Sequence, residues 1–351
     1  MTATRPEHSN ADHPKVHFGK VGVILCNLGT PDGTDYWSVR RYLNEFLSDR
    51  RVVDVAKWKW QLILQLIILS FRPFTSGAAY KTIWNEEKNE SPLLTTTRDQ
   101  TTALTKVLKE QYGDQVEVDF CMRYGNPSTE SVIQNMKDRG CDRIVFFPLY
   151  PQYSATTTGT ANDQAFRALM KMRWQPTIRC VPAYFENPLH IKALADSVRE
   201  AYAKMEVEPD VLVTSYHGIP LRYLMEGDPY HCHCQKTTRL LREELGWDES
   251  KIQLTFQSIF GREEWLKPYT VEDVARLARE GKKNIAVIAP VFSSDCIETL
   301  EEINEEIKEA FIEAGGETFT YIPCLNDRPD HIEMMADIVA TESAGWLQKI
   351  A

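Results

Sequence analysis

The strongest constraint on the fold of this chain is an internal repeat of strand, loop and helix. Short apolar runs rich in β-branched residues alternate with amphipathic segments, and both halves of the chain show them in the same order. The matched segments are 21–27 with 211–215, 116–125 with 253–261, 132–139 with 271–279, and 143–149 with 284–290. Apolar strands that alternate with helices are typical of parallel sheets covered on both faces. The repeat therefore predicts an α/β fold of two similar doubly wound, Rossmann-like lobes with parallel sheets.

The length supports this division, because 351 residues exceed what one ordinary hydrophobic core holds. In open parallel sheets ligands bind at the carboxyl ends of the strands, so we expect the site in a crevice between the two sets of strand ends. The expected segments are a disordered polar tail at 1–16, the first lobe at 17–185, the second lobe at 186–328, and a C-terminal helix at 329–351 that packs back on the body.

Charge and cysteine usage exclude several classes of function. The net charge of -10 argues against nucleic acid as a partner, since phosphate binding needs a concentrated basic face. The first sixteen residues contain no apolar core of a signal peptide, so we expect a cytoplasmic protein. Eight cysteines lie scattered, mostly in apolar runs, which indicates reduced thiols and no disulfides.

The most apolar segment is a predicted helix at 57–72, with a narrow polar stripe at Lys57, Gln61 and Gln65. Its apolar runs are shorter than the roughly 18 to 20 residues that cross a bilayer. Flanking cations and tryptophans are typical of a helix at a membrane surface. Three interpretations stay open: a buried core helix, an interfacial helix, or the lip of an apolar pocket.

Common catalytic and cofactor motifs do not occur. The chain lacks a P-loop, a G-x-G-x-x-G run, an H-E-x-x-H pair and a G-x-S-x-G elbow. The run His231-Cys-His-Cys234 suggests a metal site, but a helix would spread alternate residues about 200° apart. A loop and helix start is the favoured interpretation of that run, and Cys232 and Cys234 keep a metal or cluster open as the alternative.

Two polar features follow predicted strands of the second lobe. A strand beginning at Val211 ends on His217, before Gly218 and Pro220, which places the imidazole at a strand's carboxyl end. Carboxylates follow the strand at 284–290, and a helix from about residue 297 would turn Glu298 and Glu302 away from its apolar stripe. A solvated acidic face is the competing interpretation of these carboxylates.

Five separated motifs, taken together, resemble one family. They are Asn27-Leu-Gly-Thr-Pro31 and Tyr150-Pro-Gln-Tyr-Ser-Ala-Thr-Thr-Thr-Gly159 in the first half, and Val213-Thr-Ser-Tyr-His-Gly-Ile-Pro220, Phe256-Gln-Ser258 and Ser294-Asp-Cys-Ile-Glu-Thr-Leu300 in the second. Arg123-Tyr124, Gly227-Asp-Pro-Tyr230 and Trp265-Leu266 agree with them. The chain resembles ferrochelatases of the bacterial type over residues 18–345, which implies a chelatase-like fold.

The resemblance implies a lyase, a metal chelatase that inserts ferrous iron into protoporphyrin IX to form protohaem, the last step of haem biosynthesis. It assigns His217 and Glu298 as catalytic and metal-binding residues, and Glu302 and Glu306 as a path for protons or metal. The residues it implies for porphyrin binding are Leu28, Arg123, Tyr124, Tyr150 and Trp265. Arg123 has two open roles, neutralising a propionate or placing Tyr124. Coproporphyrin III is the alternative substrate, and a non-catalytic porphyrin carrier is a third hypothesis.

The sequence departs from animal members of the family at two places. Cys296 stands where they have histidine, so no essential histidine pair is expected in that motif. The last cysteine of this sequence is Cys324. Animal members hold an iron–sulfur cluster with cysteines in a C-terminal extension, and this sequence shows no such cysteines. We therefore expect no prosthetic group and no cluster, with ferrous iron as substrate. The expected partners are protoporphyrin IX, iron and, through the lip at 57–72, the inner membrane as a peripheral contact.

Overall fold

Two four-stranded parallel sheets form the body of the protein in the computed structural model, which describes residues 12, 16–261 and 263–350. The strands of the first sheet are β1 (Lys20–Thr30), β2 (Val116–Gly125), β3 (Cys141–Pro148) and β4 (Thr177–Cys180). Those of the second are β5 (Val211–His217), β6 (Ile252–Gln257), β7 (Asn284–Ile288) and β8 (Thr318–Ile322). Their orders, β2-β1-β3-β4 and β6-β5-β7-β8, are equivalent. The predicted repeat and the α/β fold of two similar parallel sheets are confirmed.

Helices cover both faces of each sheet. They are α1 (Tyr36–Leu47), α2 (Lys57–Ile63), α3 (Leu69–Ile83), α4 (Pro92–Tyr112), α5 (Thr129–Asp138), α6 (Thr160–Met170), α7 (Pro188–Tyr202), α8 (Leu221–Met225), α9 (Tyr230–Leu245), α10 (Thr270–Arg279), α11 (Lys308–Glu313) and α12 (Pro329–Glu342). Three segments are π-helical: Leu64–Ile68, Ala155–Gly159 and Glu298–Ile307. Short 3₁₀ turns occupy Gly113–Gln115 and Glu249–Lys251.

The central strand β1 shows why the sequence reads as a continuous apolar run. Val23 and Leu25 face the core under α4 and α12, whereas Ile24 and Cys26 face the core under α5 and α6. All four side chains are fully buried. A strand covered on both faces has no polar side, so its sequence loses the alternation of a half-exposed strand.

The predicted apolar helix at 57–72 is longer than expected. The helical run continues through α2, the π-helical segment and α3 to Ile83, with Pro73 inside it. Proline cannot donate to the carbonyl four residues earlier. That carbonyl, Leu69 O, instead accepts a 2.9 Å hydrogen bond from the Tyr36 hydroxyl. The predicted helix end at residue 72 was too early, because local sequence does not reveal this distant donor.

The greater length of this helix bears on whether it could cross a membrane. Lys57–Ile83 is long and apolar enough to cross a bilayer by length and composition, and 22% of its most apolar window is buried. The apolar run inside it is nevertheless interrupted by Lys59, Gln61 and Gln65, as the sequence indicated. Core helices of globular proteins pass the same test, so length and composition establish no span.

The C-terminal helix is shorter than the predicted 329–351. Helix α12 packs on α4 and α7 and ends at Glu342. The Arg179 guanidinium on β4 donates to Glu342 O at 2.7 Å and Ala344 O at 3.0 Å, and Gly345 takes a positive φ of 79°. A cation on the last carbonyls and a left-handed glycine both end a helix. The predicted tail at 1–16 lies almost wholly outside the described residues.

Candidate active site

His217 occupies the carboxyl end of β5, next to Gln257 in the β5–β6 ladder. Its Nδ1 lies 2.7 Å from Gly218 O, and a carbonyl only accepts hydrogen bonds, so Nδ1 carries the ring proton. The Tyr230 hydroxyl donates to His217 O at 2.8 Å and fixes the main chain. In the neutral ring this arrangement leaves the lone pair on Nε2, which is free to bind a metal or take a proton.

Trp265 lies against the same turn. An isolated bridge pairs it with Pro220, and a Cβ added at Gly218 would lie 3.1 Å from its ring. Gly218 therefore lets the indole approach the backbone beside His217. The Trp265 Nε1 is buried without a hydrogen-bond partner among the described residues. The indole is thus placed next to the histidine, and its role in porphyrin binding stays a prediction.

Glu298 begins the π-helical segment and lines a small cavity between the two sheets. Leu28 from β1, Tyr42 from α1 and Tyr80 from α3 are among the other wall residues. The cavity has room for about one water molecule, ~10 Å³. A cavity of this size holds no larger molecule unless its walls separate.

Two tyrosine hydroxyls share this cavity with the carboxylate. Burial raises the pKa of Tyr80 above its ordinary value, and the charge of Glu298 raises it further. The pKa of Tyr42 is raised by burial, by Tyr80 and by Glu298. Both phenols therefore stay protonated at neutral pH and remain potential donors in the cavity.

Three donors converge on Glu302. Ser258 N donates to its Oε1 at 2.7 Å, and Gln257 Nε2 donates to its Oε2 at 3.0 Å. The Ser258 hydroxyl also donates to Oε2. Burial raises the pKa of the Glu302 carboxyl above its ordinary value, although these donors and the charge of His217 lower it.

The π-helical turn also sets which carboxylates are neighbours. Hydrogen bonds in a π-helix join residues five apart, so Glu301 and Glu306 lie about one turn from each other. Burial, followed by the charge of Glu306, raises the pKa of Glu301. Glu306 is exposed whereas Glu298 and Glu302 are half-buried, so carboxylates extend from the cavity to the surface. The proposed path through Glu302 and Glu306 stays a prediction, because these two carboxylates are four residues apart in a segment whose turns join residues five apart.

Arg123 and Tyr124 belong to a separate buried network. Arg123 is 6% exposed, donates to Thr160 Oγ1 at 2.7 Å, and forms an ion pair with Asp49 at 2.5 Å. The Tyr124 hydroxyl donates to the same carboxylate at 2.9 Å, and the guanidinium lies 4.2 Å from its ring centre. Of the two roles open for Arg123, these contacts fit the placing of Tyr124. Neither residue lines the small cavity beside Glu298.

The pKa of Asp49 reflects this network. Burial raises it, but the hydrogen bonds from Thr160 and the Arg51 backbone and the charge of Arg123 lower it more, so that it falls below its ordinary value. Tyr150 lies nearby in a core cluster that Leu28 also contacts. Its buried hydroxyl has no hydrogen-bond partner in the part of the chain that the structure describes.

Cys232 and Cys234, for which a metal or cluster was the alternative interpretation, lie on helix α9. Cys234 is buried on α9 and Cys232 is exposed, so the two sulfurs point to different sides of one helix. His233 stacks on Phe185 at 3.7 Å and His231 faces Phe256. Cys296 is buried on the wall of the small cavity, two residues before Glu298.

Sequence reasoning missed several residues of the site. Gln257 and Ser258 were noted only as part of the Phe256-Gln-Ser258 motif, and Tyr80 lies beyond the predicted end of the helix at residue 72. Tyr42 and Asp49 carried no signal, because an isolated tyrosine or aspartate has no local pattern that reveals a distant partner. A polar pair directly after a buried strand was the one available clue, since strand ends meet at the ligand-binding edge.

Comparisons with known proteins agree along the chain. The ferrochelatase family model matches residues 20–343. A ferrochelatase of Rhodobacter capsulatus is 64% identical over 341 residues, covering 97% of each chain. A ferrochelatase of Rhizobium etli (strain CIAT 652) is 56% identical over 337 residues, covering 96% of this chain and 97% of its own.

Solved structures show the same architecture. SirB from Bacillus subtilis with Fe³⁺ superimposes with a TM-score of 0.54 at 11% identity, over 93% of this chain and 97% of its own. The sirohydrochlorin chelatase SirB from Bacillus subtilis subspecies spizizenii, in complex with cobalt, gives 0.53 at 10% identity, over 92% and 96%. At such identities the likeness concerns the fold alone. The family model and the sequence relatives, which extend over nearly the whole length, show that the chain belongs to the ferrochelatase family.

Proposed function

We propose that the chain inserts ferrous iron into protoporphyrin IX at the site formed by His217 and Glu298, acting as a lyase. Iron insertion in haem biosynthesis is the reaction of the family to which it belongs. The observation that carries the assignment to this site is the His217 ring, whose Nε2 has no hydrogen-bond partner among the described residues, beside a helix that starts at Glu298. Iron and porphyrin are both substrates here, and the proposal includes no prosthetic group.

The reaction releases two protons for each metal inserted, one from each of two pyrrole N–H groups. The site offers two acceptors, the lone pair on His217 Nε2 and the Glu298 carboxylate. With the ring proton on Nδ1, the Nε2 lone pair of the neutral imidazole can accept a proton. Glu302 and Glu306 would then carry protons outward or metal inward along the π-helical segment.

The walls would bind the flat ring by apolar contact. Leu28 and Trp265 belong to different lobes and both lie beside the proposed metal-facing groups. Tyr150 belongs to the core cluster against which Leu28 packs. Burying an apolar macrocycle between them is favourable by about 25 cal/mol per Å² of surface removed from water. Arg123 and Tyr124 would support this wall through Asp49.

The porphyrin substrate is tested by comparing turnover. Purified protein with ferrous iron under anaerobic conditions is expected to convert protoporphyrin IX to protohaem, seen as loss of porphyrin fluorescence and a shift in absorption. Coproporphyrin III, with two more carboxylates, is expected to react more slowly at the same concentration, since the lip is apolar. A faster reaction of coproporphyrin III would reverse the preference. Stoichiometric porphyrin binding without haem formation would instead identify a carrier.

We also propose that the helical run at 57–83 contacts a lipid bilayer. It extends the predicted lip at 57–72, and from here on the lip means residues 57–83. Large apolar side chains on it are exposed, with Trp58 at 67%, Leu66 at 70% and Phe71 at 71%. Lys57, Lys59 and Arg72 flank this surface, as in helices that lie among anionic headgroups. Tyr80 of the same run lines the cavity, so an apolar porphyrin could pass from the bilayer to the site.

Vesicle sedimentation tests this contact. The protein is expected to sediment with vesicles of phosphatidylglycerol and phosphatidylethanolamine. The double change Leu66→Glu and Phe71→Glu should weaken partitioning at least about tenfold, because each buried side chain contributes roughly 1.5 to 3 kcal/mol. Phe166→Glu, at a phenylalanine 44% exposed on α6, serves as the matched control and should partition like the original protein. Equal sedimentation of the double variant would refute the contact.

A further inference from the structure

The side chain of Gln257 connects the histidine strand to the acidic helix. Gln257 ends β6, is 3% exposed, and pairs with His217 in the ladder. Its Nε2 donates to Glu298 O at 2.8 Å and to Glu302 Oε2 at 3.0 Å. Its own carbonyl O accepts from Gly218 N at 2.7 Å, directly after the histidine. One residue therefore contacts both elements that carry the proposed metal-facing groups.

The orientation of this amide is determined by its neighbours. Glu298 O is a main-chain carbonyl that can only accept, so the NH₂ group must face it. The Gln257 Oε1 then faces the Ser215 hydroxyl, which donates to it at 2.6 Å. Thr270 Oγ1 lies 2.9 Å from Ser215 Oγ and completes the row of buried hydroxyls behind it. A buried amide with its hydrogen-bonding capacity used on both sides holds one position.

Ser258 adds a second attachment to the same carboxylate. It adopts a left-handed backbone conformation, with φ of 62°, that non-glycine residues seldom take. In this conformation both its N–H and its hydroxyl donate to Glu302. Such backbone strain persists where surrounding contacts enforce it, and it is concentrated at functional sites.

We propose that Gln257 and Ser258 are positioning residues that set the placement of Glu298 and Glu302 relative to His217. The inference rests on the proposed function, because it concerns the geometry of that site. Gln257 holds the first turn of the π-helical segment through Glu298 O. Together with Ser258 it also holds the Glu302 carboxylate, about one turn later. A displacement of about 1 Å in a reacting geometry can cost about 100-fold in rate. Loss of this attachment should therefore lower kcat without removing any group that touches the porphyrin.

The test compares substitutions on one strand. Gln257→Leu and Gln257→Glu are each expected to reduce kcat about 30- to 100-fold while KM for protoporphyrin IX changes less than threefold. Glutamate keeps the shape but removes the NH₂ donor, so it separates hydrogen bonding from packing. Gln253→Leu is the matched control. Gln253 is half-buried four residues earlier on β6, contacts Leu254 O at 3.2 Å, and its variant should keep the original kcat. A Gln257→Glu variant with the original kcat would overturn the inference.

The Ser258→Gly variant tests the same proposal even if the Gln257 variants fail to fold. Glycine accepts the left-handed conformation and retains the N–H, but it removes one donor from Glu302. We expect a smaller loss of kcat, about 3- to 10-fold, with an unchanged melting temperature. Unchanged kcat in this variant would count against the proposal even if both Gln257 variants fail to fold.

Metal binding without porphyrin separates this inference from the proposed function. Titration with Co²⁺, followed by its visible absorption, should show at least tenfold weaker binding for Gln257→Leu than for the original protein or Gln253→Leu. If the original protein forms no haem, the proposed function fails, and the Co²⁺ titration still decides the positioning. If the original protein forms haem and Co²⁺ binds all three proteins alike, the positioning role is wrong.

Discussion

Replacing His217 by alanine is expected to reduce kcat for haem formation at least about 1,000-fold. The substitution removes the Nε2 lone pair, which can either accept a pyrrole proton or bind the metal, and general acid–base groups contribute about 10²- to 10⁴-fold. KM for protoporphyrin IX should change little, because the apolar walls remain. Anaerobic assays with ferrous iron, over a range of porphyrin concentrations, separate kcat from KM.

The matched control is His17→Ala. His17 is exposed and lies beside Gly140, at the amino ends of β1 and β3, away from the strand ends that form the site. It should retain the original kcat, and both variants should keep the original circular dichroism spectrum. A His217→Ala protein with activity within tenfold of the original would remove His217 from the proposed reaction.

Replacing Asp49 by alanine is expected to lower the free energy of unfolding by about 3 to 5 kcal/mol. The change leaves the buried Arg123 guanidinium without its counter-ion, and an uncompensated buried charge is strongly destabilising. It also removes the acceptor of the Tyr124 and Thr160 hydroxyls. Urea unfolding followed by tryptophan fluorescence measures the loss.

Asp54→Ala is the control for this prediction. Asp54 belongs to the same loop and pairs with Arg222 at 3.3 Å, but its side chain is 47% exposed. Exposed ion pairs contribute about 0 to 1 kcal/mol, so this variant should unfold close to the original midpoint. Adding Arg123→Met to Asp49→Ala should recover part of the loss, because it removes the unpaired charge. Equal midpoints for the Asp49 and Asp54 variants would show that the buried pair does not stabilise the fold.

Local pattern was sufficient for six of the eight strands and insufficient for helix ends. Those six were predicted because a buried parallel strand needs an unbroken apolar run, whereas the edge strands β4 and β8 were missed. The lip and α12 were misjudged because their ends depend on partners far away in the sequence. The Tyr36 hydroxyl satisfies Leu69 O, and Arg179 binds the carbonyl groups after α12.

Motif resemblance predicted the members of the site better than their contacts. His217 was assigned to the end of β5 from sequence, and the structure places it there. Arg123 was assigned to porphyrin binding or to placing Tyr124, and its ion pair with Asp49 fits the second role. Its partner lies 74 residues earlier, so no local spacing indicates it.

The amino-acid sequence by itself determined that two similar parallel sheets form and that a histidine ends one central strand, because apolar periodicity and turn residues act within a few positions. Only the tertiary structure decided what surrounds that histidine. Tyr80 of the lip meets Glu298, and Gln257 holds Glu298 and Glu302 across 41 and 45 residues of sequence. Such contacts depend on how helices pack between two lobes, and the hydrogen bonds that form there are selected by burial, where an unpaired polar group is costly.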